Sequence, residues 1–404
     1  MKDIDRRLFL KSVGIAGLGS VISNKSQAEP NDPNSKKSDK KAPAIPQRTL
    51  GKTGAKVPVY SFGVMFNTVE NQIALRKAHS MGVNYWDTAN GYSGGNSELG
   101  IGKFFKASPE LRKDIFLVTK ASGADSVKGI EERLQKSLER MNTNYIDLYY
   151  GVHGLSKPET ELNADLAAWA ESAKKRGLIR YFGFSTHTNM AACLQAAAKV
   201  DYIDAIMTSY NFRLMQDKDM LDAVEACSKK NIGLIAMKVM AQKVEGQEYP
   251  EFVNHFTKKG FTEGQAKLKA VLTDQRIATA CIGGPELENI ILNVAAVQDK
   301  TQLSADDMEF LKQYAAADCG GYCAGCSQIC ENALTADVPV RDIMRYLMYY
   351  NNHSYRDEAK MLYAQLPADV KNRLLTIDYT KAQNACPQKL PIASLISQAV
   401  QKLA

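Results

Sequence analysis

The 404-residue chain has no uninterrupted apolar run of the ~18 residues that would suggest a helix crossing a bilayer, so no internal membrane span is expected. It also has no concentrated basic face. The net charge is +7, but much of the excess sits in the first 48 residues, at Lys2, Arg6, Arg7, Lys11, Lys25, Lys36, Lys37, Lys40, Lys41 and Arg48. A basic leader and linker account for that charge, and nucleic acid is not expected as a partner. No Gly-x-Gly-x-x-Gly turn follows the first strand-like run, which argues against an open doubly wound dinucleotide fold. No cysteine follows the N-terminal apolar stretch, so a lipid anchor there is not indicated. What remains is ordinary for a globular protein, with 45% hydrophobic and 24% charged residues.

The N-terminus carries Asp5-Arg6-Arg7-Leu8-Phe9-Leu10-Lys11, then a short Gly-rich apolar stretch from Val13 to Ile22, then small residues before Glu29. This resembles a twin-arginine export signal over residues 1–28, with Asp5 departing from the usual Ser/Thr; a basic tail with a chance Arg pair is the alternative. The resemblance implies the twin-arginine translocase as a partner and a periplasmic or extracytoplasmic location. Residues 29–46 are rich in Pro, Lys, Ser and Asp without apolar periodicity, as a disordered linker would be.

From Ser61 onward, short β-rich runs alternate with helical patterns. The runs are 61–65, 83–87, 115–120, 145–150, 179–185, 202–207, 232–238 and 277–283. None alternates strictly with polar residues, as expected for strands buried on both faces. Eight strand–helix units within ~250 residues predict an α/β (β/α)8 TIM barrel over 47–315, with residues 48–60 as a hairpin closing its bottom. A small helical, cysteine-rich domain is expected over 316–404.

Side chains at the C-terminal ends of barrel strands converge on one face. Those ends offer Asp87, Tyr92 in the following loop, Lys120 and His153. A carbonyl that accepts hydride becomes an alkoxide and needs a positioned acid. Tyr92 is of the right type, Lys120 is expected to lower its pKa, Asp87 to orient Lys120, and His153 to polarise the carbonyl oxygen. A buried ion pair beside an unrelated loop histidine is the structural alternative.

Asn84-Tyr85-Trp86-Asp87-Thr88-Ala89, then Tyr92 and Ser97-Glu98-Leu99-Gly100, resembles the aldo/keto reductase signature across nearly the whole barrel. The resemblance implies an NAD(P)-dependent oxidoreductase, a small carbonyl or alcohol substrate, and Tyr92 as general acid/base. It also implies cofactor contacts. Ser185 stands where the family has a Ser-Asn pair, with Thr186 replacing Asn; Met207 replaces the usual Gln, and Tyr210 stands where a ring stacks on nicotinamide. Gly283, Gly284 and Asn289 fall in the dinucleotide-contact region, and Lys238 ends the seventh barrel strand either at a phosphate or in solvent. No Lys or Arg occurs in residues 282–293, which leaves NADH and NADPH both open. Free dinucleotide is not expected outside the cytoplasm, so an exported enzyme carries it bound or lacks it.

Five of the eight cysteines follow the barrel: Cys319, Cys323, Cys326, Cys330 and Cys386. The first four are spaced C-x3-C-x2-C-x3-C, and Cys386 precedes a proline. The pattern resembles a ferredoxin run, which implies Cys319, Cys323, Cys326 and Cys386 around one [4Fe-4S] cluster, with Cys330 orphaned or an alternative ligand, and a redox partner protein for its electrons. Disulfides or structural zinc are the other readings. Tyr346, Met348, Tyr349 and Tyr350 read as core. A non-catalytic binding or electron-transfer module on a barrel scaffold is the competing function, with a disulfide-bonded structural protein as a third.

Overall fold

The computed structural model of the protein describes residues 44–244, 248–318, 321–351 and 355–404. The proposed signal segment, the linker up to residue 43, and Cys319 lie outside the described residues. At the linker's end, Ile45 is buried against the outer core of the barrel.

β1 (Gln47–Thr49) and β2 (Lys56–Pro58) form the expected antiparallel hairpin. Arg48 anchors it, its guanidinium donating to the carbonyls of Leu272, Asp274 and Ile277 where the last strand begins. Eight parallel strands then close a barrel: β3 (Tyr60–Gly63), β4 (Tyr85–Asp87), β5 (Phe116–Lys120), β6 (Ile146–His153), β7 (Ile179–Thr186), β8 (Ala205–Ser209), β9 (Gly233–Met237) and β10 (Ile277–Gly283). β10 pairs with β3 and seals the ring.

The missing polar alternation has a direct cause. Alternate residues fill the barrel interior (Tyr85, Val118, Leu148, Tyr150, Met207, Ile235), and those between them (Trp86, Leu117, Tyr149, Phe182, Ile206) pack under the outer helices. A helix follows each strand, and several carry clear start signals. Ser126, Asn163 and Asp217 each accept a backbone N–H of the first turn. Thr262 and Gln265 form a reciprocal capping box. Such caps contribute about 1 kcal/mol each.

The expected boundary at 315/316 falls inside the helix Ala305–Ala317, whose Leu311 and Tyr314 pack with Phe252 and Phe256. Beyond it the described residues are largely helical, with the helices Val340–Asn351, Arg356–Ala364, Ala368–Arg373, Thr380–Ala385 and Ile392–Leu403. Ile343, Leu347, Leu395 and Ile396 form the centre of their shared apolar cluster. This extension lies over the C-terminal end of the barrel. Arg341 donates to Thr188 Oγ1, Tyr349 meets Lys238, Glu358 accepts the N–H of Ser93, and Asn351 donates to the carbonyl of Val244. None of the helices formed by the described residues is long and apolar enough to cross a membrane.

Candidate active site

Strand parity decides which side chains enter the barrel mouth. Tyr85 faces inward, so Asp87 two residues on does too; Val118 likewise places Lys120. β6 needs an exception, because Leu148 and Tyr150 face inward and simple alternation would continue with Val152. A register irregularity between Tyr150 and Val152 shifts the pairing so that His153 stands opposite the inward-facing Ser185. Gly151 sits at that irregularity, where a Cβ would meet the Phe182 ring at 2.5 Å. A residue with no side chain is required there.

Lys120 Nζ donates to Asp87 Oδ1 at 2.5 Å and to the Thr88 carbonyl at 2.7 Å, with side chains only 1% and 5% exposed. The ammonium lies 4.9 Å from the centre of the Tyr92 ring. The Tyr92 ring meets His153 edge-on at 5.8 Å. The loop that carries Tyr92 turns through Ser93, Gly94 and Gly95, all at positive φ, and a Cβ on Gly95 would strike the Arg140 guanidinium at 2.7 Å. Arg140 also bonds the carbonyl of Asn90 and Glu98, while Ser97 bonds Thr88 and the Val64 carbonyl. The Ser97-Glu98 pair of the signature thus braces the loop.

One expectation is reversed. Burial, and then the neighbouring Asp87, push the Tyr92 phenol well above its usual value, so it is held as the neutral acid. Lys120, committed to Asp87 and Thr88 beneath the ring, does not offset that rise. Burial raises the Asp87 carboxyl too, against the pull of Lys120.

His153 is held neutral. Burial foremost, then Lys120, Arg345 and Lys238, bring its pKa down to about 3. Ser122 Oγ lies 2.8 Å from its Nδ1. The sign follows from the unfolded value of ~6.5: the unfolded chain binds the proton first, so stability falls as pH drops from ~6.5 toward 3. Accordingly His153→Gln should lose less of its melting temperature than the wild-type protein between pH 6.5 and pH 4. Parallel losses in thermal scans would show that His153 is not buried neutral.

A cavity of about 540 Å³, in the usual range for small-molecule sites, opens from Asp87 and Tyr92 along the ends of β9 and β10. Asp87, Tyr92, Lys238, Gly283 and Asn289 line it, with Met207 at its base. Gly283 is packed so closely that a Cβ would meet the Gly63 oxygen at 2.5 Å and Tyr355 Oη at 2.7 Å. Lys238, at positive φ, is half-buried at the cavity wall. Its Nζ donates to Tyr349 Oη at 2.5 Å, and among the described residues no carboxylate pairs with it.

Two expected contacts are corrected by parity. Thr186 faces outward like Phe182 and Phe184, and its hydroxyl bonds Leu155 and Thr188 carbonyls. Tyr210 faces outward like Ile206; its ring is fully buried in the helix layer and its hydroxyl donates to Asp274 at 2.7 Å. Neither lines the cavity. Ser185 is buried beside His153, and Gly284, at φ 134, follows the lining Gly283. Residues not foreseen come from the extension: Met348, Tyr349 and Tyr355 line the cavity instead of serving only as core. The sequence signal was their place on a strongly amphipathic helix and its sequel, but nothing in it told which surface that helix covers.

The cysteine reading also changes. Cys323 lies within electrostatic reach of Cys326, Cys330 and Cys386, which favours Cys330 as the alternative ligand over an orphan. All four are free thiols, and burial raises Cys323, Cys326 and Cys330. Among the described residues, no three His, Cys, Asp or Glu side chains stand close enough together to hold a metal ion.

A closed parallel barrel with an Asp–Lys pair, a tyrosine and a neutral histidine at its C-terminal mouth defines a class of barrel enzymes suited to moving a proton at a polarised oxygen. The model of the aldo/keto reductase family matches residues 61–283, and the chain belongs to that family of oxidoreductases. It is 32% identical over 212 residues to an aldo-keto reductase of Schizosaccharomyces pombe named for NADP(+), a match spanning 48% of this chain and 60% of that protein. It is 25% identical to the L-galactose dehydrogenase of Arabidopsis thaliana over 65% of this chain and 91% of the other. Among solved structures it resembles a thermostable aldo-keto reductase in complex with the inhibitor epalrestat, at 26% identity and a TM-score of 0.56, over 67% of this chain and 99% of that one.

Proposed function

We propose that the protein is an exported aldo/keto reductase that interconverts a carbonyl and an alcohol, with Tyr92 as general acid/base. The observation that carries this reading is the convergence of Tyr92 with His153 and the Asp87–Lys120 pair, Tyr92 and Asp87 lining one cavity. A nicotinamide dinucleotide, when bound, supplies or accepts the hydride. Lys238, Gly283, Gly284 and Asn289 are the residues that would hold it: a cation without a carboxylate partner among the described residues, and backbone that permits close approach. The name of the yeast relative favours NADP(H).

In the reductive direction the neutral Tyr92 phenol donates its proton to the carbonyl oxygen as negative charge develops there. With Nδ1 turned to Ser122, His153 presents Nε2 to the same oxygen, and as a neutral imidazole it donates a hydrogen bond without competing for the proton. Lys120 beneath the ring stabilises the phenolate that is left, and Asp87 keeps the ammonium in place. Dinucleotide titration of the purified protein, followed by single turnover with a small aldehyde, tests the reading. Binding of NAD(P)H and formation of the alcohol are expected; a protein that binds neither dinucleotide would refute it.

The same proposal includes a [4Fe-4S] cluster on the C-terminal cysteines, exchanging electrons with a partner protein, and export through the 1–28 segment. The ferredoxin-like spacing supports the cluster, and Cys323, within electrostatic reach of Cys326, Cys330 and Cys386, makes Cys330 a candidate for the place first assigned to Cys319. Anaerobically purified protein should then contain iron and sulfide in equal amounts, and Cys330→Ser should lose most of both. Full iron content in Cys330→Ser would return that place to Cys319. A cell-fractionation assay with Arg6→Lys/Arg7→Lys tests export, since twin-arginine signals depend on that pair; undiminished periplasmic protein would remove it.

A further inference from the structure

We propose that the substrate carries a carboxylate, held by Arg345 with support from Arg341, so that this site takes acidic aldehydes or ketones; the inference rests on the carbonyl reading above. A second cavity of about 70 Å³ lies between the barrel mouth and the extension. It holds a few waters or one small anionic group. Lys238, Met240, Gln242 and Met348 line both cavities, which makes the smaller one a branch of the larger.

The branch is strongly cationic. Lys238, Arg341 and Arg345 line it together with His187, and no Asp or Glu does among the described residues. One carboxylate, Asp342, serves both arginines: Arg345 Nη2 donates to it at 2.7 Å and Arg341 Nε at 3.1 Å. Two guanidiniums and an ammonium face Asp342, with Glu331 also within reach of Arg341, and leave an excess of positive charge in a confined, partly desolvated space. The adjacent imidazoles respond to it. Burial first, then Arg345 and Lys238, hold His187 well below its usual value, and the same two cations act on His153.

Arg345 is the group best placed to meet a ligand. Its Nη1 lies 2.8 and 2.9 Å from the two His187 nitrogens, a neutral partner, so Asp342, shared with Arg341, is the carboxylate that balances it. Arg341 is more fully engaged, with Thr188, Ser327 and Asp342. A guanidinium fixed by Asp342 at one edge is pre-organised for a carboxylate at another. Tyr92 lines the larger cavity and Lys238 lines both, so a molecule with its carbonyl at Tyr92 extends its acid group past Lys238 into the branch.

The test compares 4-carboxybenzaldehyde with its methyl ester as substrates for the full chain. The wild-type kcat/KM should favour the acid by about 10- to 100-fold, as a charge-assisted hydrogen bond gives. Arg345→Gln should abolish most of that preference, and Arg345→Lys, which keeps the charge, should retain a good part of it. If neither compound turns over, the carbonyl reading fails. The carboxylate site is then tested alone by calorimetric titration of 4-carboxybenzyl alcohol, whose binding Arg345→Gln should weaken at least about tenfold while Arg345→Lys should not. A wild-type protein indifferent to the acid group, or a preference that survives Arg345→Gln, overturns the proposal. So does an Arg345→Gln protein that loses dinucleotide affinity but keeps its preference for the acid, because the cations then serve the cofactor's phosphates.

Discussion

Replacing Tyr92 with phenylalanine is expected to lower kcat by ~10²–10⁴-fold while changing substrate affinity little. The effect is confined to the chemical step because of what the ring does and does not touch. Its contacts to His153 and to the Lys120 ammonium belong to the ring face and edge, which phenylalanine keeps. No hydrogen bond among the described residues depends on the hydroxyl, so the melting temperature should hold within about 2 °C, the scale of small surface-like changes. What disappears is the proton donor. Among the described residues that line the cavity, Tyr349 is a phenol bonded to a lysine, and it is the natural substitute if the assignment is wrong. Steady-state rates of Tyr92→Phe and Tyr349→Phe side by side therefore decide which tyrosine is the acid.

Asp87→Ala should be the most damaging single change to stability. It strips the Lys120 ammonium of its carboxylate in a site where that side chain is 1% exposed, leaving the Thr88 carbonyl as its sole hydrogen-bond acceptor. Removing one partner of a buried pair costs about 3–5 kcal/mol. At ~2–4 °C per kcal/mol, the melting temperature falls by about 10 °C. Lys120→Met is expected to cost less, because the orphaned carboxyl can take up a proton and burial already raises its pKa. The double variant Asp87→Ala/Lys120→Met should regain part of the stability lost by Asp87→Ala and none of the activity. A double variant no more stable than Asp87→Ala in denaturant unfolding would show that the pair is not the source of the cost.

The barrel was legible because its strands are buried on both faces, and runs such as 115–120 and 277–283 show that directly. Strand limits were less so. The run 202–207 begins too early, since Asp204 turns to accept the Phe182 N–H and pair with Lys174, and β8 starts only at Ala205. Tetrad positions followed from strand ends plus family resemblance, but the inward aim of His153 depends on an irregularity at Gly151 that no periodicity reveals. The errors at Thr186 and Tyr210 have one cause: both have outward parity, and family position was read without it. The extension's contribution was invisible for a different reason. Tyr349, Arg345 and Glu358 act through contacts with residues more than 100 positions away, and the sequence pattern gives their helices a buried face without saying what it meets.

These placements also explain how an unusual C-terminal extension serves a familiar barrel. Glu358, brought up to about 7 by burial, holds the Ser93 N–H beside Tyr92, and Tyr355 closes on Gly283. The mouth is thus shaped from both sides.

Transfer of label from a dinucleotide deuterated at the nicotinamide C4 tests the account most directly. The purified protein, given one equivalent of that dinucleotide and excess aldehyde, should place deuterium on the carbinol carbon of the alcohol, and Tyr92→Phe should place almost none in the same time. An alcohol formed without label, or label transfer undiminished in Tyr92→Phe, would contradict a site that joins hydride transfer to the Tyr92 proton.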